Sequence, residues 1–325
     1  MKTNWHSAKW LLALGTLVAC EDHRDSPNAS FPNRIDFVAQ RQYPEGIAYS
    51  AQLNRFVITS ITQGKIGTVT LDGKYEDLLS APELISGIGV KVAEGKILVC
   101  NGDQGVSVKS TPATAFQTAE LLVFDLNTRQ LERRVDLDAL LPGSRHFAND
   151  LAIDPQGNIY VTDSFSPVIY KVTRSGEASI LVNDARFAST SFGLNGIIYH
   201  PNGYLIAVKT SDGKLFKIDL KNNNAITEVG GLTLMGGDGI TLFNNDLYIV
   251  TGSGSQVSQV RSTDNWQTAQ LVKNDTQGYF QATTNVAVNG RIYSLNARIG
   301  EVSAAGMAMN PAQLQSNEYS IQVFK

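Results

Sequence analysis

The chain reads as an all-β protein, a six-bladed β-propeller with four-stranded blades. Three observations predict it. One unit recurs along the sequence: a polar residue, a Gly, a short apolar run, a turn bearing Gly or Asn, and a second apolar run. Its copies fall roughly 45 residues apart, the length expected of a four-stranded blade. No amphipathic helix of ordinary length is legible past the first twenty residues.

Taken in order, residues 1–19 read as a signal peptide, with Lys2 and Lys9 ahead of an apolar run at 10–18 that is too short to span a membrane. The run ends in Leu17-Val18-Ala19-Cys20, which is similar to a bacterial lipobox, so Cys20 is the expected lipidation site. Residues 20–33 then form a polar tether and residues 34–325 the propeller. The expected location is the bacterial cell envelope, with a lipid as the only membrane contact.

The repeats follow. Glu45-Gly46-Ile47 leads into Phe56-Val57-Ile58, and Gly87-Ile88-Gly89-Val90 into Ile97-Leu98-Val99. The unit returns at Asn149-Asp150-Leu151, Asn195-Gly196-Ile197, Asp238-Gly239-Ile240 and Asn285-Val286-Ala287. Segments such as Leu215-Phe216-Lys217-Ile218-Asp219 alternate with period two and read as outer strands. Closure needs strands from both ends of the chain: residues 34–40 or 319–324 complete the sixth blade and protect its edge. Residues 102–118 and 141–147 are long enough to be rim loops.

Bulk composition narrows the function. The chain is 42% hydrophobic and 18% charged, with a net charge of -3, so a large core is expected. No basic block is present, so nothing suggests a phosphate-backbone partner. A monomeric chain is expected. The two cysteines are Cys20 and Cys100. With Cys20 lipidated, Cys100 has no disulfide partner and reads as a buried strand residue.

In each unit the first polar residue sits where the innermost strand begins, facing the central channel. The blade heads are then Glu45, Gly87, Asn149, Asn195, Asp238 and Asn285. Two carboxylates converging on one axis repel and raise each other's pKa. A divalent cation removes that cost, and an all-oxygen set without Cys or His suits Ca²⁺. The metal ligands expected are Glu45, Asn149, Asn195 and Asp238. Asn and Asp before Gly also form turns, but turn chemistry would not select Glu45.

On Pro44-Glu45-Gly46, Asn149-Asp150-Leu151-Ala152, Asn195-Gly196-Ile197 and Asp238-Gly239-Ile240 the sequence resembles the gluconolactonase and luciferin-regenerating-enzyme family of calcium-dependent six-bladed propeller hydrolases, related in fold to paraoxonases and diisopropyl-fluorophosphatase. The resemblance implies that a Glu, two Asn and an Asp in this blade order hold a catalytic calcium, and that the reaction is hydrolysis of a lactone or related ester. Asp238 then either deprotonates a water or attacks directly. The alternative from another class is a non-enzymatic propeller that binds a protein or carbohydrate. A strictosidine-synthase-like propeller, which uses no calcium, is disfavoured by the Glu45 and Asp238 pair.

Second-strand ends return to the channel face, which brings Asp103, Asp163, Lys209 and Asn296 toward the rim. Asp103, Lys209 and Asn285 are candidate substrate-binding residues. Lys209 either meets an anionic substrate group or pairs with Asp163. His146 lies just before Asn149 and reads as a surface-loop residue rather than a catalytic base; His200 lies in a turn on the far side. Gly252 and Gly254 leave the exit loop of the fifth blade open.

Overall fold

The computed structural model describes Met1 and residues 31–307 and 311–325, with only the backbone of Met307. The signal peptide and Cys20 lie outside the described residues.

The fold opens on β1 (Arg34–Val38). A first sheet follows, with β2 (Ile47–Ser50), β3 (Arg55–Ile58), β4 (Lys65–Val69) and β5 (Tyr75–Ser80). Next come β6 (Ser86–Ala93), β7 (Lys96–Gly102), β8 (Gln117–Asp125) and β9 (Leu131–Asp136). These are followed by β10 (His146–Ile153), β11 (Ile159–Asp163), β12 (Val168–Val172) and β13 (Ala178–Asn183). Then come β14 (Leu194–His200), β15 (Tyr204–Lys209), β16 (Leu215–Asp219) and β17 (Ala225–Val229). A further sheet holds β18 (Ile240–Phe243), β19 (Asp246–Thr251), β20 (Gln256–Arg261) and β21 (Gln270–Asp275). The last strands are β22 (Ala282–Val288), β23 (Arg291–Asn296) and β24 (Glu318–Val323), with helix α1 (Ile299–Met307) between the final two.

Within each sheet, consecutive strands pair antiparallel as meanders, giving an all-β propeller with four-stranded blades. Four sheets have four strands each. The fifth has eight, because β10 bridges parallel to β8 at His146↔Gln117 and Phe147↔Thr118 and so joins β6–β9 to β10–β13. Inner strands contact their neighbours in sequence, β2 to β6, β10, β14, β18 and β22, and β22 returns to β2.

The burial pattern explains these positions. Inner strand β14 is covered on both faces by neighbouring sheets, while β1 alternates exposed and buried residues and β21 is almost wholly exposed. The inner strands approach closely where a Cβ is missing. A Cβ on Gly196 would lie 2.5 Å from the Asp238 carbonyl, and one on Gly46 would lie 2.3 Å from that of Ile88. Threonines staple the same strands together: Thr162 Oγ1 donates to the Asn195 carbonyl at 2.6 Å and Thr283 Oγ1 to that of Glu45 at 2.6 Å.

Three sequence expectations change. Both chain ends, rather than one, complete the last sheet, since β1 pairs with β24 and β24 with β23. The end of the tether is docked: Phe31 packs on Tyr49 and Tyr293, and the Tyr293 hydroxyl donates to the Pro32 carbonyl at 2.8 Å. A helix, α1, is present. It is short and contains two glycines, so no helical period was legible, yet Val302 and Ala305 anchor it in the core. Among the described residues no helix is long and apolar enough to cross a membrane.

Candidate metal centre

Glu45 precedes β2, Asn149 lies in β10, Asn195 in β14, and Asp238 precedes β18. The closing of the inner strands brings all four into the wall of one cavity of about 380 Å³. Glu45, Asn149 and Asn195 are buried, and Asp238 is partly covered.

The hydrogen bonding around these side chains shows which atoms face the cavity. Asn149 Nδ2 donates to Ser164 Oγ at 2.9 Å, and that hydroxyl donates to the Leu194 carbonyl at 2.6 Å. Asn195 Nδ2 donates to Thr210 Oγ1 at 3.1 Å, and that hydroxyl donates to the Gly237 carbonyl at 2.7 Å. The same clamp therefore occurs on two adjacent sheets. Each amide nitrogen is held by a hydroxyl just past the second strand of its own sheet, that hydroxyl is tied to a carbonyl at the start of the next, and Oδ1 is left without a partner.

Among the described residues, the buried side-chain oxygens and nitrogens without a hydrogen-bond partner are Asn149 Oδ1, Asn195 Oδ1 and Asp238 Oδ1. A buried polar atom without a partner costs free energy, on the order of 1–3 kcal/mol each. Three of them on the residues the sequence singled out need a common partner.

Electrostatics point the same way. Burial pushes the Glu45 carboxyl well above the usual range; the charges of Asp238 and Asp150 push it further, against the pull of Lys91. Burial also raises Asp238, partly offset by the neighbouring Asn195 side chain, and Asp150 adds to the rise. The site is thus short of positive charge. The residues fit a hard divalent cation: two carboxylates balance its charge and two carboxamides add neutral oxygens. No group of three or more His, Cys, Asp or Glu forms among the described residues, so amide oxygens must complete any such site.

The other sequence candidates take structural roles. Asn285 does not join the cavity; Ser294 Oγ donates to its Oδ1, and its Nδ2 donates to the Tyr248 carbonyl. Asp103 is buried and braces its own loop, accepting from Gly105 N, Ser110 Oγ and Thr114 Oγ1. Lys209 pairs with Asp212 rather than Asp163 and donates to the Arg186 carbonyl at 3.0 Å. Asp163 accepts from the amides of Phe147, Phe165 and Ser166, and Asn296 from that of Phe280. At these positions the second-strand ends fasten neighbouring loops.

His146 is not on the surface. It is buried, with Nδ1 2.8 Å from Asp163 Oδ2 and Nε2 2.9 Å from the Leu141 carbonyl. Both ring nitrogens are engaged, so it is not a free base. His200 stacks on Tyr204 at 4.4 Å, away from the cavity.

The cavity also includes residues that the repeat pattern did not mark. Gln104 comes from the loop before β8, one of the expected rim loops. Phe147 and Phe192 lie two and three residues ahead of Asn149 and Asn195. Gly236 and Ser253 line the side near Asp238, and Gln281, Ile299, Gly300 and Ser303 bring β22's approach and α1 into the wall.

Residues 43–167 match the family model described as the SMP-30/Gluconolactonase/LRE-like region. That region holds Glu45 and Asn149; Asn195 and Asp238 follow it. No curated protein matches the chain. Among solved structures, the major allergen Mala s 1 of Malassezia sympodialis is similar, with a TM-score of 0.68 at 17% identity over 90% of this chain and 96% of that one. A gluconolactonase from Xanthomonas campestris has a TM-score of 0.61 at 14% identity, covering 88% of each chain. Regucalcin from Agrobacterium tumefaciens, a calcium-binding protein, has a TM-score of 0.60 at 17% identity over 90% of this chain and 94% of that one. Identities this low show a shared propeller fold.

Proposed function

We propose that the chain is a calcium-dependent hydrolase of a lactone or related ester, built on a six-bladed ring in which the eight-stranded sheet counts as two blades. The observation that carries this reading is the set of three partnerless oxygens, on Asn149, Asn195 and Asp238, facing one cavity with the Glu45 carboxylate. The matched region and the gluconolactonase and regucalcin neighbours support the same reading.

Glu45, Asn149, Asn195 and Asp238 would hold the ion. When bound, Ca²⁺ would polarise the substrate carbonyl and steady the negative charge that develops on its oxygen. The rest falls to the chain. Ser164 and Thr210 fix the two amides so that their oxygens, not their nitrogens, are left for the ion. Asp238 acts in one of two ways. As a base, it takes a proton from a water whose oxygen bonds to the carbonyl carbon; the ring C–O bond breaks and the leaving alkoxide takes that proton. As a nucleophile, its carboxylate oxygen bonds to the carbonyl carbon, the alkoxide leaves, and water then hydrolyses the acyl intermediate.

The N-terminal lipid at Cys20 and the envelope location belong to the same proposal and rest on the sequence motif; the mass of the N-terminal peptide from native membranes tests them. For the reaction, a panel of lactones and aryl esters is the test. Chelator-treated protein should be silent, calcium should restore turnover, and Asp238→Asn should lower kcat/KM by at least about 100-fold. Turnover by Asp238→Asn at the wild-type rate would overturn the proposal.

A further inference from the structure

Apolar and polar side chains share the walls of the cavity. Phe147, Phe192, Ile61, Ile88 and Ile299 supply the apolar part. Phe192 meets Phe147 edge-on at 5.7 Å and Phe165 at 5.0 Å, so its ring is held as part of a cluster and is half-buried. Phe147 and Phe192 precede Asn149 and Asn195 by two and three residues, and all four line the same cavity.

The charge that lines the cavity is of one sign. Among the described residues, Glu45 and Asp238 are the charged side chains that line the cavity. The cations nearest in sequence to its walls are turned to other work. The Arg145 guanidinium lies 4.5 Å from the rings of both Phe116 and Phe165, the Lys209 ammonium is tied to Asp212 and the Arg186 carbonyl, and Arg298 is held by Glu301, the Glu318 carbonyl and the Phe280 ring. A substrate carboxylate or phosphate would meet no counter-charge here once a divalent ion had balanced the two acids.

The polar groups are partly spent. Thr210 Oγ1 donates to the Gly237 carbonyl and accepts from Asn195, and Gln281 Oε1 accepts from Gly300 N at 3.1 Å. A ring carrying hydroxyls on every carbon would leave several of them against phenyl and aliphatic surfaces, where each unmade hydrogen bond is costly.

We infer that the substrate is an uncharged lactone or ester bearing an apolar group, aryl or alkyl, that packs against Phe192 and Phe147. This rests on the hydrolase reading above and narrows it: neither charged nor fully hydroxylated substrates suit the site. Burying a phenyl or medium alkyl group on such a wall corresponds to roughly 10- to 100-fold in kcat/KM.

The experiment compares three ring lactones on the calcium-loaded full chain: the unsubstituted ring, the ring with a phenyl or six-carbon alkyl substituent, and a polyhydroxylated ring. The matching non-hydrolysable lactams are titrated by calorimetry. The substituted lactone should exceed the other two by at least about 10-fold in kcat/KM, with the gain in KM. Phe192→Ala should lower kcat/KM for the substituted lactone more than for the unsubstituted ring, so that the ratio between them falls by about 10-fold, and Phe192→Leu should keep most of that ratio. Equal turnover of the polyhydroxylated ring, or a Phe192→Ala loss equal on all three, overturns the inference and leaves the hydrolase reading standing. If nothing is hydrolysed, selective binding of the substituted lactam that weakens in Phe192→Ala supports the inference while the hydrolase reading fails. No selective lactam binding overturns it.

Discussion

Thr210 Oγ1 lies 3.1 Å from Asn195 Nδ2, and this contact decides which end of the Asn195 carboxamide faces the cavity. Because the hydroxyl spends its own proton on the Gly237 carbonyl, it can only accept from the amide nitrogen, and Oδ1 is left pointing inward without a partner. Ser164 does the same for Asn149 through the Leu194 carbonyl.

Removing a clamp should therefore weaken cation binding without unfolding the protein. Thr210→Val and Ser164→Ala each free an amide to flip. Each should weaken calcium affinity by about 10- to 100-fold in calorimetry, with Thr210→Ser close to wild type. Unchanged affinity in Thr210→Val would show that the amide needs no such restraint.

His146 gives a prediction about pH. Burial lowers its pKa, but the hydrogen bond and charge of Asp163 outweigh this and leave it raised. A raised histidine stabilises the fold fully below its unfolded pKa of about 6.5, and that contribution is lost as pH rises through the folded value. The stability difference between wild type and His146→Gln, measured by urea unfolding with calcium saturating, should therefore shrink from pH 5.5 toward pH 9. A difference that grows with pH would contradict the pairing.

Tyr43 ties helix α1 to the segment before β2. Tyr43 Oη donates to Glu301 Oε2 at 2.5 Å and accepts from Ser316 N at 2.9 Å. Tyr43 lies two residues before Glu45, so the same segment that supplies a carboxylate to the cavity also holds the helix that walls it. Tyr43→Phe should cost about 1–2 kcal/mol in urea unfolding, because it leaves the Ser316 amide without its acceptor, whereas Glu301 keeps the Ser316 hydroxyl. It should also increase hydrogen exchange at Ile299, Gly300 and Ser303.

Cys100 offers a check on the core. Burial raises its thiol well above the usual range, with the charges of Asp150 and Glu45 adding to the rise. In a chain with Cys20 replaced by Ser, the native protein should resist a thiol reagent for hours and react stoichiometrically once unfolded. Rapid native-state labelling would place Cys100 elsewhere.

The repeat was legible because the inner strands carry it. Apolar runs headed by Glu45, Asn149, Asn195 and Asp238 recur with the blade, and spacing alone brings those residues to one face. What the repeat could not show lies between the units. Gln104, Gln281 and α1 enter the cavity from connections whose sequences follow no period. The glycines and alanines of α1 blur its helical pattern, and its hold on the core comes from Val302 and Ala305. Asn285 shared the repeat position but not the role, because Ser294 and the Tyr248 carbonyl take up its amide. Position in a repeat selects which side chains approach the axis; local hydrogen bonding decides which of them remain available.

The most direct measurement is calcium titration of chelator-stripped protein by calorimetry, with wild type, Glu45→Gln and Asp238→Asn side by side. The account predicts one tightly held ion per chain in wild type, and binding weakened at least about 100-fold or lost in both variants. Wild-type affinity in either variant, or no calcium binding at all, would contradict it.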